Sequence, residues 1–435
     1  MSATQKSVKP MRFGTLPEWL AWQERLHPNK IDLGLDRIRR VLQRLGLEFP
    51  PYHIVTIAGT NGKGSSVMML EAVLSAAGYR IGAYTSPHLL RYNERIRICQ
   101  QEVEDTRLCR AFERVDQARG DISLTYFEFG TLAAFEIFHY AGLDLAVLEV
   151  GMGGRLDAVN VLDSDVALVT SVGIDHVNWL GPDRETIGWE KAGIFRASRP
   201  AVCGDPVPPQ SLLRHAQQLK SPLYRRGHDF GYLTKEETWS WWGPEQNYND
   251  LPCPALYGPF QIQNAANVIM VLELLKPRFH ITQKQLAFGL EHVTISGRFQ
   301  LIPGAIPCIL DVAHNPHGAA ALARALRQQP CPGRTHAVMG MLSDKDIPGV
   351  IREMMEVVDT WHMASLATER GASSDQLIEG LESLGRDDVP ARRYGGVMSA
   401  YQGACSGAQS GDRIVIFGSF HTVADFLRHH TEAKN

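Results

Sequence analysis

The sequence has no apolar run long enough to span a bilayer, which excludes a membrane-crossing helix. Its opening, Met1 to Gly14, carries lysines without an apolar stretch behind them and reads as neither a secretory signal nor an anchor. Cysteine is sparse. The seven residues (Cys99, Cys109, Cys203, Cys253, Cys308, Cys331 and Cys405) are odd in number, scattered and without a CxxC pair. That pattern provides neither a disulfide framework nor a zinc site, so the expectation is reduced thiols in a cytoplasmic protein. A basic excess is lacking too: the formal net charge is -3, which leaves no surplus to neutralise nucleic-acid phosphates. Any anion site must therefore be local. No internal repeat or low-complexity tract interrupts the chain.

What remains is an ordinary globular composition, 44% apolar and 21% charged, over 435 residues. Single cores stop growing at about 250 to 300 residues, so two domains are expected. Short runs rich in Val, Ile and Leu predict strands buried on both faces at 53–58, 143–150, 166–172, 308–312, 336–341 and 413–417. Helical patterns lie between many of them. After Gly64, for example, Val67, Leu70, Val73, Leu74 and Ala77 recur at helical spacing, with Gly78 as a stop. Strand, glycine-rich turn, helix, strand is the grammar of a parallel sheet, whose ligands collect at the carboxyl ends of its strands. Residues 205–258, with Pro206, Pro208, Pro209, Trp239, Trp241, Trp242, Pro252 and Pro254, break the pattern and predict an irregular or antiparallel insertion near the sheet's edge. The pattern resumes from Gln261 to His292, and a second series of strands starts near Gln300. A boundary near Ser296 gives domains 1–296 and 297–435.

The segment Ile54 to Ser66 carries the most chemistry. A buried strand runs into Gly59-Thr60-Asn61-Gly62-Lys63-Gly64-Ser65 and then into a helix. This arrangement aims successive backbone N–H groups and a helix N-terminus at one point, where phosphate accepts several hydrogen bonds. Lys63 adds a point charge for the outer phosphates. The segment departs from GxxxxGK[ST], because Ile57 stands at the first glycine position and Gly64 at the hydroxyl position, which moves to Ser65. The alternative is a tight turn that uses glycine only for packing; the strand before it and helix after it favour nucleotide binding.

Three further strand ends carry polar groups: Ser86 in Thr85-Ser-Pro-His88, Glu149 before Val150-Gly-Met-Gly-Gly154, and His176 after Asp175. Magnesium prefers oxygen ligands, so a carboxylate and a hydroxyl beside ATP oxygens suit it. Singly, Glu149 also fits a salt-bridged carboxylate, His176 a helix cap and Ser86 a turn hydroxyl. Their joint placement beside the phosphate loop is what singles them out. The glycines after Glu149 lack the full spacing of a dinucleotide fingerprint.

Assembled, these residues resemble the folylpolyglutamate synthase and dihydrofolate synthase family, within the wider group that includes the muramyl-peptide ligases. The likeness covers nearly the whole chain. Its marks are GTNGKGS at Gly59–Ser65, TSPHL at Thr85–Leu89, LEVGMGGRLDAVN at Leu148–Asn160, DH with LG at Asp175–Gly181, EKAGI at Glu190–Ile194 and DVAHNPHG at Asp311–Gly318. The resemblance implies an α/β fold: a P-loop-type, doubly wound, mostly parallel sheet domain followed by a smaller Rossmann-like α/β domain. It further implies an ATP-dependent ligase that phosphorylates a pteroate or folate carboxylate and joins it to L-glutamate, monomeric and without nucleic-acid or membrane partners.

By the same resemblance, Ser86, Glu149 and His176 hold magnesium, as two ions, and Thr60, Asn61, Gly62, Lys63, Gly64 and Ser65 surround the triphosphate. Lys191 matches a lysine that is carbamylated in this family, a modification that needs a neutral amine; the residue alone reads as an exposed helix lysine. Asn264, Arg298 and Asp311 match residues that hold the base, phosphates and ribose. His314 matches a residue near the reacting centre, and otherwise reads as a cap on the helix beginning near Asn315. Lys30, Ile31, Asp32 and Leu33, in a segment ending at Arg37, resemble the pterin-proximal loop of members that also make dihydrofolate. Thr125, Tyr126, Phe127 and Glu128, with Leu156, Asp157 and Ala158, match further contributors to the pteroate site. Members limited to polyglutamylation share most of these motifs. Two rivals stand beside this reading: a muramyl-peptide ligase, whose extra nucleotide-sugar domain has little room before Gly59, and an ATP-controlled switch that needs no acceptor.

Overall fold

The computed structural model describes residues 11–329, 331–385 and 389–432. Most of the segment read for a leader, at 1–10, lies outside them. The first sheet holds β1 (His53–Ala58), β2 (Ile81–Tyr84), β3 (Ile96–Ile98), β4 (Gln101–Glu102), β5 (Leu145–Glu149), β6 (Val166–Val169), β7 (Ala201–Cys203) and β8 (Leu223–Arg225). Their order is β4-β3-β2-β5-β1-β6-β7-β8. All pairs are parallel except those made by β3 and β4, which fold back antiparallel at one edge. Ile57 pairs with Glu149 and Ala58 with Val169, so the loops leaving β1, β5 and β6 open side by side. This reversal of strand order around β1 is where a doubly wound sheet leaves a crevice.

Two layers of helices cover that sheet. Helices Lys63–Ala76, Pro259–Leu275 and Gln283–His292 pack on one face. Asp36–Leu45, Asp105–Arg119 and Tyr126–His139 pack on the other. The predicted insertion is more regular than its prolines suggested. Pro209 leads into a helix, Gln210–Gln218, and β8 extends the parallel sheet. Only then does the chain form an antiparallel sheet of β9 (Gly231–Thr234), β10 (Thr238–Trp242) and β11 (Asn247–Pro252). Two of its tryptophans are structural: Trp239 is fully buried, and Trp241 is 1% exposed with its Nε1 donating to the carbonyl of Ala266 at 3.0 Å, while Trp242 is exposed.

The second sheet contains β12 (Gln300–Ile302), β13 (Cys308–Asp311), β14 (Thr335–Met339), β15 (Thr360–Ala364), β16 (Ala391–Tyr394) and β17 (Arg413–Phe417), in the order β12-β13-β17-β14-β15-β16. Only β12 is antiparallel to its neighbour. Apolar clusters lie on both of its faces. Leu89, from the loop after β2 of the first sheet, is 6% exposed and joins one of them with Leu310, Val312 and Val423. The two lobes thus share a hydrophobic contact.

Two predicted strands, 53–58 and 413–417, match β1 and β17 residue for residue. Those at 143–150 and 166–172 are longer than β5 and β6, because Val150 and Val172 pack beneath the loops instead of extending the strands. β2 carries no continuous apolar signal. Its Gly82 leaves the space that Leu143 and Phe138 fill, where an added Cβ would lie 2.5 Å from Leu143 Cδ1.

Removing the Trp241 side chain vacates a buried volume and frees the Ala266 carbonyl. Trp241→Ala is expected to cost about 3–5 kcal/mol in reversible urea unfolding; a loss below about 1 kcal/mol would show that this antiparallel sheet contributes little to the core.

Candidate active site

The turn after β1 is shaped by what crowds it. Gly59 has φ +150°, and a Cβ there would fall 1.9 Å from Thr170 Oγ1 and 3.2 Å from the Ser171 amide. Gly62 precedes the helix Lys63–Ala76 with φ +86°, and its Cβ would meet Asn264 Oδ1 at 2.5 Å. Both positions need glycine for conformation and for space. Neighbouring loops fix the rest: Thr170 Oγ1 donates to the Asn61 carbonyl at 2.6 Å, and Thr60 Oγ1 accepts from Gly173 N at 2.8 Å. Lys63 folds back so that Nζ donates to the Gly59 carbonyl at 2.9 Å and to that of Thr60 at 3.3 Å.

Beyond the turn lies a cavity of 110 Å³ that brings together Lys63, Ser86, Glu149, His176, Lys191, Arg298 and His314. Residues from four loops of the first lobe and from the second lobe meet there. Glu149, at the end of β5, is 5% exposed and accepts from the Ser86 amide at 3.1 Å. Burial raises its carboxyl pKa, partly offset by the charge of Lys63. Burial likewise lowers that of Lys63, against the pull of Glu149. Lys191, in the helix Arg184–Ala192, is 4% exposed instead of standing in solvent, and has no ion pair among the described residues. Burial, then the Lys63 charge, brings its pKa down to about 7.

His176 and His314 face Asp175 from opposite lobes. Their Nε2 atoms lie 3.9 and 3.8 Å from its Oδ2, and burial first lowers both imidazoles to about 4. His314 Nδ1 donates to the Val312 carbonyl at 2.8 Å, leaving Nε2 toward the cavity; the helix cap beside it is Asn315. Burial pushes the Asp175 carboxyl up, but His176 and Lys345 outweigh it and hold it below the usual range. Among the described residues, no three His, Cys, Asp or Glu side chains converge as a complete metal cage. One buried carboxylate, one hydroxyl and one neutral imidazole form instead an open set of hard and borderline donors. Such a set suits a divalent ion that takes its remaining oxygens from a phosphate.

A second cavity, of 220 Å³, lies across the phosphate turn and brings together Asn264, Arg298 and Asp311 with Asn61, Gly62 and Ser65. Asp311 is buried and accepts from the amides of Phe299 and Ala313, at 2.9 and 2.7 Å. The Arg298 guanidinium lies 5.6 Å from the Phe420 ring and lines both cavities.

The residues read as the pteroate loop stand apart from these cavities. Thr125 caps the helix Tyr126–His139, and Glu128 returns a bond to the Thr125 amide at 2.8 Å. Arg37 ties Asp32 (2.8 Å) to Glu128 (3.2 Å), so it joins the early loop to that helix. Asp157 accepts from Met152 N at 2.8 Å, and burial raises its pKa to about 7. Phe127 covers Gly151, whose Cβ would lie 2.7 Å from its ring, and Gly151 lines the smaller cavity. Leu156 is half-buried and Ala158 buried beside Asp157, while Ile31 and Leu33 are half-buried. Lys30 is exposed and pairs with Glu369 of the second lobe.

Residues 57–204 match the Mur ligase middle domain and 297–420 the Mur ligase glutamate ligase domain. The Escherichia coli (strain K12) dihydrofolate synthase/folylpolyglutamate synthase is 42% identical over 96% of each chain. The chain belongs to the dihydrofolate synthase/folylpolyglutamate synthase family. The Haemophilus influenzae member is 41% identical, over 94% of this chain and 96% of its own. Among solved structures, E. coli FolC in complex with DHPP and ADP superposes with a TM-score of 0.92 at 41% identity, covering 98% of this chain and all of that one (100%). A bifunctional folylpolyglutamate synthase/dihydrofolate synthase with Mn, AMPPNP and L-glutamate bound gives 0.90 at 44% identity, covering 97% and 99%.

The sequence carries Asp175 and Asn315 only inside longer motifs, without a role of their own, and does not single out Lys345. Lys345 follows β14 in a loop with no glycine-lysine signature, so only its place after a buried strand could have marked it. The crowding at Gly59 gives a direct check. Gly59→Ala is expected to lower unfolding stability by about 1–3 kcal/mol through backbone strain and overpacking. Unchanged stability in urea would show that the turn has slack the geometry denies.

Proposed function

We propose that this chain is an ATP-dependent ligase that adds L-glutamate to dihydropteroate, forming dihydrofolate, and to reduced folates, forming folylpolyglutamates. The observation that carries the reading is the meeting of Lys63, Lys191, Glu149, Ser86, His176 and His314 in one cavity under the second lobe. Residues 1–296 supply the phosphate turn and the pteroate site, and 297–435 contribute to glutamate and nucleotide binding. A carboxylate does not condense with an amine in water, because its carbon is shielded by charge and oxide leaves poorly. Attack of the substrate carboxylate oxygen on the γ-phosphorus of ATP breaks the β–γ bridge, releases ADP and leaves an acyl phosphate. Lys63 offsets charge on the transferring group. The amine of glutamate then attacks the acyl carbon, phosphate departs, and His314, neutral and lining the same cavity, takes up the amine proton.

Glu149, Ser86 and His176 would hold magnesium, which when bound draws charge from the triphosphate oxygens. Asn264, Arg298 and Asp311 would hold the base, phosphates and ribose in the 220 Å³ cavity. The pterin would lie along Lys30 to Leu33, Thr125 to Glu128 and Leu156 to Ala158, where Phe127 and Gly151 connect that surface with the reacting centre. Lys191 is suited to carbamylation. Its neutral amine attacks carbon dioxide, an N–C bond forms as one C–O π bond opens onto oxygen, and the nitrogen's proton leaves to solvent, so a neutral amine becomes an anion beside Lys63. Burial and the depressed pKa provide the neutral amine this step needs.

Two measurements test the assignment. ADP release with ATP, dihydropteroate and glutamate should require both co-substrates, and Lys63→Ala should reduce it about a thousandfold or more with the fold intact. Release independent of both acceptors would favour a nucleotide switch and discard the ligase. For Lys191, labelling with ¹³C-bicarbonate should give a carbamate resonance that weakens below pH 7, where the amine protonates, and is missing in Lys191→Ala. The same resonance in that variant, or none in either protein, would end the carbamylation assignment.

A further inference from the structure

Asp175 stands on the loop after β6, one residue before His176, yet its carboxylate spends most of its acceptor capacity on the second lobe. Lys345 Nζ donates to Oδ1 at 2.8 Å, and the two side chains are 8% and 11% exposed. Asn315 Nδ2 donates to Oδ2 at 3.1 Å, and His314 Nε2 approaches the same oxygen at 3.8 Å. Asn315 then turns its carbonyl oxygen to the phosphate turn, accepting from Asn61 Nδ2 at 3.2 Å, while that amide also reaches His317 Nδ1 at 2.7 Å. Lys345, Asp175, Asn315 and Asn61 form one polar path from the second lobe to the phosphate turn. An almost dry ion pair is strongly directional, since shifting either partner leaves a charge uncompensated away from water. Hydrogen bonds to the same carboxylate fix the rotation that the ion pair alone would leave open.

We propose that Asp175 is a positioning residue that couples the two half-reactions, holding Lys345, Asn315 and His314 in the one register over the phosphate turn that reserves the acyl phosphate for the amine. The proposal rests on the ligase reading above. When the register is lost, water attacks the acyl carbon in place of the amine. The bond from that carbon to the phosphate oxygen breaks, the starting carboxylate and inorganic phosphate are regenerated, and ATP is consumed without an amide being made. Asp175 acts through its partners, so its loss shows in coupling and in glutamate use more than in nucleotide affinity.

The test compares the full chain with Asp175→Asn, Lys345→Met and the double variant. It follows ADP formed per amide formed, kcat and KM for glutamate, ATP affinity by calorimetry and the thermal transition. The wild-type chain should form about one ADP per amide. Asp175→Asn, which sets an amide donor against the Lys345 and Asn315 donors, should form roughly three or more ADP per amide and raise the glutamate KM about tenfold or more, with ATP affinity within about threefold. Lys345→Met should uncouple similarly, and the double variant should be no worse than the worse single, as expected of residues acting as a unit. A coupled Asp175→Asn with an unchanged glutamate KM would overturn the proposal, as would single effects that multiply in the double variant. Should Asp175→Asn fail to fold, Lys345→Met decides by the same ratio. A wild-type chain that releases ADP without dihydropteroate or glutamate sinks the ligase reading itself, whereas a coupled wild type beside a coupled variant sinks only the role of Asp175.

Discussion

The close approach of backbone at the end of β1 is the constraint from which the site follows. Gly59 lies against Thr170 and Ser171, and Gly62 against Asn264, with no room for a side chain at either. The turn is therefore held by two separate segments of the chain, and its amides are oriented before any ligand arrives. Such preorganisation is what makes fixed dipoles effective, because they need no rearrangement when charge appears. The order of strands does the rest, placing β5 and β6 on either side of β1 so that Glu149 and the 170–176 loop flank the same opening.

Charge is the second organising theme. Buried Lys191, half-buried Lys63 and an arginine share a small space with Glu149, while Asp175 is occupied by Lys345 and Asn315. Concentrated positive charge of this kind is costly in an isolated protein and favourable when a polyanion enters. The overall balance of the chain, -3, conceals it completely. A local anion site inside a mildly acidic protein is the arrangement that the composition left open.

The phosphate turn, the central strands β1 and β17 and the three polar strand ends were legible because each is written in a few contiguous residues. Gly59 to Ser65 announces a turn by its glycines, and runs such as Arg413 to Phe417 can only be buried strands. Less was legible where meaning depends on residues distant in the chain. Gly82 marks β2 only through Phe138 and Leu143, and the helix Gln210–Gln218 was hidden by the prolines before it. Lys191 illustrates the same limit: its helix reads as amphipathic and ordinary, while its burial and the nearby charge of Lys63 exist only once the cavity is assembled. Lys345 and Asn315 acquire a role only once 170 and 140 residues of intervening chain bring them to Asp175.

Leu89 gives the architecture a property that its motifs do not suggest. This side chain leaves the Ser86 loop of one lobe and completes an apolar cluster in the other. The loop that presents the hydroxyl beside Glu149 is thus anchored in a core to which its own sheet does not contribute. The lobes are consequently poor candidates for dissection or for exchange between relatives as interchangeable modules. A graft would have to carry the receiving hydrophobic seat along with the loop, or leave a leucine in water and the hydroxyl without its support.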